Sequence, residues 1–240
     1  MVQSARWPDS AVYEYREEKR PPQEFKEKCD YFLTHMGYGI PDVQRAIRND
    51  PYRITLFTPD TLELEARETN IFKIPIPQEL RDIGEGFDIL LEVTLSYSAM
   101  PSRTRRTAKK YLSTWLDWTA SRNGESSKMF EDRVLNTGKY GEDEGEFKWF
   151  VENRKDRGYS KSFSRQNGTI QKDWCVLKSY QLSDYFCIAV KGHSGWAPYY
   201  KAKYSLVVSF EVMSRNLEIY QLIRNEINIA IENKEIEIRY

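Results

Sequence analysis

The strongest constraint on the fold is the sustained alternation of apolar side chains in the stretch FDILLEVTLSY. Its odd-numbered positions, from Phe87 to Tyr97, are all apolar, whereas most of its even-numbered positions are polar. Successive side chains of a β-strand point to opposite faces, so this period of two predicts a strand with one buried face. Such a strand needs partner strands and a second layer to cover its apolar face. We therefore expect the chain to be built around a β-sheet.

Further stretches repeat this pattern and outnumber the helical ones. YSLVVSFEV, from Tyr204 to Val212, is apolar at alternate positions, and weaker versions occur in RITLF, NIFKIPI, YLSTWLDW, DWCVLKSY and DYFCIAV. Two other stretches, SSKMFEDRVL and LEIYQLIRNEI, place apolar residues three or four positions apart, which predicts helices. Several strands with few helices between them predict a mainly β fold, an antiparallel β-sandwich over residues 51–240.

Residues 1–50 have a helical period instead. In FKEKCDYFLTHMGYG the apolar side chains between Phe25 and Met36 fall at helical spacing, and Gly37 stands where a left-handed C-terminal cap is expected. The segment IPDVQRAI predicts a second short helix, because its apolar residues share one face. These residues are Val43, Ala46 and Ile47. The change of period divides the chain into two predicted regions, 1–50 and 51–240.

Charge and cysteine content exclude several classes of protein. The chain has 36 Lys and Arg against 36 Asp and Glu, so no net field attracts nucleic acid or an anionic membrane. Cys29, Cys175 and Cys187 are too few and too widely spaced for a disulfide scaffold, although a Cys175–Cys187 bridge across neighbouring strands stays open. No apolar run approaches the roughly 18 residues that cross a bilayer, and no signal pattern is present. We expect a cytoplasmic protein with reduced cysteines and no membrane partner.

The two histidines are the candidates for the base of a serine-hydrolase triad. His35 falls near the end of the first predicted helix, where the helix dipole explains a structural role. His193 precedes Ser194 in KGHSGWAP, but sequence neighbours rarely form a triad, and no GxSxG elbow is present. We therefore assign no catalytic residue in this chain.

No motif indicates a metal or a cofactor. The acidic run GEDEGE, from Gly141 to Glu146, lacks the regular pattern of a calcium loop and is typical of a solvated loop. The phosphate-binding patterns GxxxxGK[ST] and GxGxxG are absent. We expect no metal ligands, no cofactor-binding residues and no cofactor.

Basic and aromatic residues give two further alternatives. The run RTRRTAKK, from Arg103 to Lys110, and the aromatic residues between Tyr111 and Trp118 suit contacts to phosphates and bases. Charges at the start of an edge strand also prevent aggregation, so we do not expect a nucleic-acid partner. Trp174 and Trp196 suit the floor of a sugar or peptide groove, but buried packing is the more frequent use of such side chains.

The order of these segments resembles the C-terminal part of a subtilisin-like serine peptidase, a member of the subtilase family. GYGIPDVQRAI resembles the GxGxPDxxRA segment that closes the catalytic α/β domain in this family, and MVQSARWP resembles the LLVHSA helix before it. The remainder, with NIFKIPIPQEL, NGTIQKD and WAPYY, is similar to the β-sandwich that follows this domain in some bacterial cytoplasmic members. The resemblance implies that residues 1–50 are a helical remnant of such a catalytic domain.

The triad motifs of that family are absent from this chain. The family has its nucleophile in GTSxAxP, its histidine in an HGTH-type motif and its aspartate in a DTG- or DSG-type motif. The resemblance thus implies a truncated, non-catalytic C-terminal region of an endopeptidase, a hydrolase that acts in proteolysis only when complete. It implies as partners the missing catalytic domain and an ATPase of the AAA type, with peptide substrates only in the complete enzyme. The alternative is a free-standing β-sandwich module that binds protein or carbohydrate.

Overall fold

The computed structural model describes ten parts of the chain. They are residues 1–8, 31–47, 49–81, 86–102, 111–135, 145, 147–151, 168–215, 217–230 and 236–238, with the backbone alone for 227–230 and 236–238. Three features of the sequence therefore lie outside the described residues. These are Cys29, the basic run from Arg103 to Lys110, and the acidic run from Gly141 to Glu146 apart from Gly145.

The described part of the chain is mainly β, as predicted, with nine strands in two antiparallel sheets. The strands are β1 (Arg53–Phe57), β2 (Leu62–Leu64), β3 (Thr69–Pro75), β4 (Asp88–Ser98), β5 (Thr114–Ala120), β6 (Ile170–Lys178), β7 (Tyr185–Ser194), β8 (Ala202–Val212) and β9 (Ile236–Ile238). Sheet I has the order β1-β8-β4-β6, and β2 also pairs with β8. Sheet II has the order β5-β7-β3-β9. Every strand predicted from the alternation is present.

Short helices accompany the sheets. They are α1 (Val43–Ile47), α2 (Gln78–Arg81), α3 (Ser127–Leu135) and α4 (Ile219–Ala230), together with helical residues 31–36 and single 3-10 turns at Val2–Ser4 and Ser179–Gln181. The predicted helix end is confirmed, because Gly37 has a φ of 56°, in the left-handed region that favours glycine. The two helices predicted from SSKMFEDRVL and LEIYQLIRNEI are α3 and α4.

The inner faces of the two sheets share one hydrophobic core. The odd-numbered residues of β4 that were predicted to be buried are inaccessible at Ile89, Leu91, Val93 and Leu95. The rings of Phe210 on β8 and Phe186 on β7 meet edge to face, with centroids 5.6 Å apart, so the two sheets are in direct contact. Helix α4 adds two fully buried side chains to this core, Ile219 and Ile223.

Both cysteines in the described strands are buried free thiols, so Cys175 and Cys187 do not form the disulfide bridge considered above. Cys175 on β6 belongs to the core between the sheets, whereas Cys187 on β7 packs under α3 with Phe130 and Val134. The two strands belong to different sheets, so these residues are not cross-strand neighbours. Burial raises the pKa of Cys187 to about 12, as expected for a thiol that acts as a small hydrophobic side chain.

The outer face of sheet I differs from the prediction of a solvated face. Glu92 and Thr94, at polar positions of β4, are only 3% and 4% exposed. The residues that cover them are 1–8 and 31–47, named the N-terminal segment below. Arg6 and Ile40 of this segment form an antiparallel bridge, so its two parts reach sheet I together.

Two glycines fix the loops at one end of the sheets. A Cβ on Gly195 would lie 1.9 Å from the carbonyl oxygen of Leu112, and one on Gly192 would lie 2.0 Å from that of Glu65. Only glycine allows the backbones to approach so closely. The loop after β7 is therefore held between the start of β5 and the turn before β3.

None of the helices in the described residues combines the length and the apolar character that crossing a membrane requires.

Candidate functional site

A buried charged cluster joins the N-terminal segment to the outer face of sheet I. Its centre is Lys172 on β6, which is 1% exposed and whose ammonium donates to the carbonyl oxygens of Val2 (3.3 Å), Gln3 (3.0 Å) and Ala5 (2.6 Å). The same nitrogen lies 3.4 Å from the Glu92 carboxylate. The 3-10 turn of the segment is thus bound directly by a lysine of the sheet.

Arginine side chains extend the cluster across β4 and β8. Arg45 of α1 lies 2.9 Å from the carboxylate of Glu92 and 2.7 Å from that of Glu211. Arg6 reaches Glu211 at 3.0 Å. Each part of the N-terminal segment therefore has its own ion pair to the sheet. The charged cluster comprises Arg6, Arg45, Arg53, Glu92, Lys172 and Glu211.

Among the described ion pairs of this cluster, cations outnumber carboxylates, since four positive groups lie with Glu92 and Glu211. Arg53 is 2% exposed and donates from Nη1 to the carbonyl oxygen of Arg45, but its Nε and Nη2 find no hydrogen-bond partner among the described residues. Burial lowers the pKa of Arg53 and of Lys172. A buried charge pair adds little net stability, because the cost of removing both charges from water offsets their attraction.

The acidic side of this cluster makes the docking of the N-terminal segment pH-dependent. Burial acts to raise the pKa of Glu211, but the neighbouring guanidinium groups, first that of Arg45, outweigh burial and hold the pKa below its ordinary value. The stabilisation by Glu211 is therefore fully present above the ordinary pKa of 4.5 and is lost as the pH falls through the lower, folded-state pKa.

We expect the free energy of unfolding, measured in urea from about pH 7 to about pH 3, to fall more steeply for the native sequence than for Glu211→Gln. The slopes differ because acidification protonates Glu211 in the native sequence, whereas the glutamine of the variant carries no titrating group. Parallel curves for the two proteins would contradict this assignment.

Aromatic packing surrounds the charged cluster and includes one of the predicted tryptophans. Trp7 donates from its indole nitrogen to the carbonyl oxygen of Gly37 at 2.9 Å and packs edge to face on Trp174, with centroids 5.5 Å apart. Phe150 stacks on the same Trp174 ring at 4.6 Å. Trp174 therefore has the packing role that was expected of it, and it does not floor a groove.

The side of the N-terminal segment away from the sheet carries exposed apolar residues. In α1, Arg45 points to the sheet, so Val43 and Ile47, two positions away on either side, point away from it. Val43 is 56% exposed and Ile47 74%. Three other apolar residues of the segment, Tyr31, Met36 and Ile40, are also exposed, and the five residues are together named the exposed apolar set.

A second exposed group lies on the loop after β7, at the end of the sheets fixed by Gly195. The rings of Trp196 and Tyr200 have centroids 6.3 Å apart, and those of Tyr199 and Tyr200 4.9 Å apart. Tyr199 is 72% exposed and Tyr200 43%. These three residues are named the aromatic platform below. Trp196 itself is half-buried, as Trp174 is.

His193 has a carboxylate partner, but this partner is not in the neighbouring sequence. Its Nε2 lies 2.9 Å from Asp117 on β5, and its ring stacks on Trp115 with centroids 3.8 Å apart. Ser194 is exposed, and neighbouring strand residues point to opposite faces, so the structure does not bring Ser194 to His193. The arrangement is a part-buried His–Asp pair stacked on an aromatic ring.

His35 makes two contacts, both with Tyr31 of its own helix. Its Nδ1 lies 2.9 Å from the carbonyl oxygen of Tyr31, and its ring stacks on the Tyr31 ring at 4.1 Å. Both contacts are local to the last turn of the first helix. Within the described residues, no three His, Cys, Asp or Glu side chains are grouped as metal ligands.

Comparisons with known proteins give matches of low similarity. No protein-family model matches the chain. A relative, the uncharacterized protein y4bN of Sinorhizobium fredii, is 25% identical over 196 residues, which cover 80% of this chain and 42% of the relative. The chain thus spans less than half the length of this relative. A chain of the X-ray structure of Tomato Aspermy Virus aligns with 81% of this chain over 97% of its own length, at 10% identity and a TM-score of 0.32.

Proposed function

We propose that this chain is the non-catalytic C-terminal region of a subtilisin-like serine endopeptidase. In this proposal residues 1–50 are the helical end of a catalytic domain, and residues 51–240 are an antiparallel β-sandwich that supports it in the cytoplasm. The chain alone has no peptidase activity. Peptide substrates belong to the complete enzyme, in which a serine activated by a histidine attacks the peptide carbonyl.

The exposed apolar set of the N-terminal segment carries this proposal. Five apolar side chains of this segment are exposed by 40% to 74%, and the two on α1 lie on the side opposite the ion pairs of Arg45. Exposed apolar side chains on a segment that is held in this way favour an interaction site. A catalytic body that continues the segment would cover it. The greater length of the Sinorhizobium relative is consistent with such an additional part.

The described residues define what this region would contribute to the enzyme. The charged cluster fixes α1 and the 3-10 turn against sheet I, and hence the orientation of any body packed on the apolar set. When such a region holds the catalytic body in one orientation, it helps to position the substrate against the catalytic groups. A AAA-type ATPase is a further proposed partner, and it rests on the resemblance alone.

The first test is to sequence the DNA upstream of the Met1 codon and to translate it in all frames. We expect HGTH and GTSxAxP motifs there, and absence of both would overturn the proposal. The polypeptide that carries them is then co-expressed with this chain. Copurification and cleavage of labelled casein are expected from the pair and not from either part alone.

Two surface variants test whether α1 forms the proposed contact with the catalytic body. Val43→Ser with Ile47→Ser is expected to abolish copurification, because these side chains form the centre of the proposed contact. Met213→Ser is the matched control, since Met213 is 55% exposed and lies at the end of β8. Equal copurification by both variants would contradict the assigned surface.

A second candidate function is a free-standing binding module, and the aromatic platform is the observation that favours it. Two exposed tyrosine rings beside a half-buried tryptophan on one loop are more than singly scattered exposure. Saturable binding without hydrolysis would distinguish this function from the first.

A further inference from the structure

We propose that Arg45 and Arg53 bind one small inorganic oxyanion, of the sulfate or phosphate class, between α1 and the outer face of sheet I. This inference is independent of the peptidase proposal, because it concerns a site enclosed within this chain. It rests on guanidinium donors that have no partner, on the geometry of these donors and on the charge around them.

The unpartnered donors belong to two arginines in contact. Nη1 of Arg53 donates to the carbonyl oxygen of Arg45 at 2.9 Å, whereas its Nε and Nη2 are buried without a hydrogen-bond partner among the described residues. Nε of Arg45 is buried and unpartnered in the same way. A buried donor without an acceptor loses its hydration and gains nothing in return, and the cost is greater for a charged group. Three such donors indicate a missing acceptor.

The two unpartnered atoms of Arg53 form the edge of a guanidinium group that suits an oxyanion. The N–H bonds of Nε and Nη2 are nearly parallel, so two oxygens of one anion can accept from both. The same chain shows this arrangement at Arg133, whose Nε and Nη2 lie 2.7 and 2.8 Å from the two carboxylate oxygens of Glu125. Arg53 presents the same edge with no acceptor on it among the described residues.

The carboxylates of the charged cluster are engaged by other cations. Glu92 lies 2.9 Å from Arg45 and 3.4 Å from Lys172. Glu211 lies 2.7 Å from Arg45 and 3.0 Å from Arg6. The acceptor for the Arg53 edge therefore has to come from outside these ion pairs.

The charge of the cluster favours a dianion. Its four cations and two carboxylates leave an excess of two positive charges. Lys172 counts among the cations, because its nitrogen donates to three carbonyl oxygens and only the ammonium form has three donors. A water molecule can accept from a guanidinium group, but it leaves the excess charge in place. Sulfate and hydrogenphosphate supply both the oxygens and the two negative charges.

The burial of these arginines couples the anion to the docking of the N-terminal segment. Arg53 is 2% exposed and the Arg45 side chain 14%, so an anion can enter only when α1 moves away from the sheet. α1 supplies Arg45 and sheet I supplies Arg53, so an anion bound by both joins the two parts. Each event therefore favours the other.

The test begins with the unaltered protein, dialysed into a chloride buffer and titrated with sodium sulfate or sodium phosphate at constant ionic strength in a calorimeter. We expect saturable binding of one dianion per chain. The urea midpoint is expected to rise with the dianion concentration, because a ligand that binds only the folded state stabilises it. Ion chromatography of the anions released on unfolding detects a dianion retained through purification.

A matched pair of variants assigns the binding to Arg53. Arg53→Lys keeps the positive charge but loses the paired donors, and is expected to raise the Kd by about tenfold or more. Arg133→Lys is the control, because the corresponding edge of Arg133 is occupied by Glu125, and it is expected to change the Kd by less than about twofold. Circular dichroism establishes that each variant is folded.

A further measurement needs no variant. In proton–nitrogen correlation spectra of the unaltered protein, the Nε–H signals of Arg45 and Arg53 are expected to shift as sulfate is added, and that of Arg133 is expected to stay in place.

Three results would overturn the proposal. The first is that no dianion binds and none is released on unfolding. The second is binding that neither Arg53→Lys weakens nor the Arg53 signal reports. The third is tighter binding of acetate or chloride than of either dianion, which assigns the donors to a monoanion.

Discussion

The Glu92→Gln variant is expected to lose about 3–5 kcal/mol of the free energy of unfolding. The carboxylate of Glu92 is buried between the Lys172 ammonium, at 3.4 Å, and the Arg45 guanidinium, at 2.9 Å. An amide keeps the shape but not the charge, so both cations stay buried with a weaker partner. Removal of one member of a buried pair costs more than the pair contributes, because the remaining charge is left without compensation.

Urea unfolding followed by circular dichroism measures this loss, with Glu63→Gln as the matched control. Glu63 pairs with Lys203 at 3.7 Å, but both side chains are about half exposed or more, at 47% and 67%. Such a surface pair contributes about 0–1 kcal/mol. Equal losses for the two variants would show that the charged cluster is solvated in solution.

The Phe210→Ala variant is expected to lose a similar amount, about 3–5 kcal/mol, for a different reason. Phe210 is fully buried between the sheets and meets the Phe186 ring edge to face. Truncation removes the apolar contacts and leaves a cavity that two hydrogen-bonded sheets cannot collapse to fill. The loss should be insensitive to pH, in contrast to that of the charged-cluster variants.

Phe57→Ala is the control for this prediction, because Phe57 belongs to the same sheet and is 71% exposed. Its truncation removes little buried area and should change the free energy of unfolding by no more than about 0.5 kcal/mol. A small effect at Phe210 would mean that the two sheets do not share a tightly packed core.

The strands could be predicted from the sequence because their signal is local. The alternation from Phe87 to Tyr97 identifies β4 and its buried face without knowledge of the partner strands, and the cap at Gly37 depends only on the preceding helix. The charged cluster could not be predicted in this way, because Lys172 and Ala5 are 167 positions apart. One signal was present, since Glu92 interrupts the apolar stretch ILLEVTL, where a charge requires a buried partner.

The candidate surfaces depend on features that periodicity does not reveal. The apolar face of α1 was predicted, but its exposure follows from the orientation of Arg45 toward the sheet. His193 has its carboxylate partner 76 positions away at Asp117, so a search among sequence neighbours found only Ser194. Trp174 and Trp196 are both half-buried, and only the fold shows their neighbours, which are Trp7 and Phe150 for Trp174 and Tyr200 for Trp196.

The bridge between Arg6 and Ile40 has a consequence for how the two parts of the N-terminal segment depend on each other. The amides of Arg6 and Ile40 donate to each other's carbonyl oxygens at 3.0 and 2.9 Å, and the rings of Trp7 and Phe32 have centroids 5.2 Å apart. Either part can leave sheet I alone only by breaking these contacts to the other part. The two parts are therefore expected to open from the sheet together, as one unit in native-state hydrogen exchange.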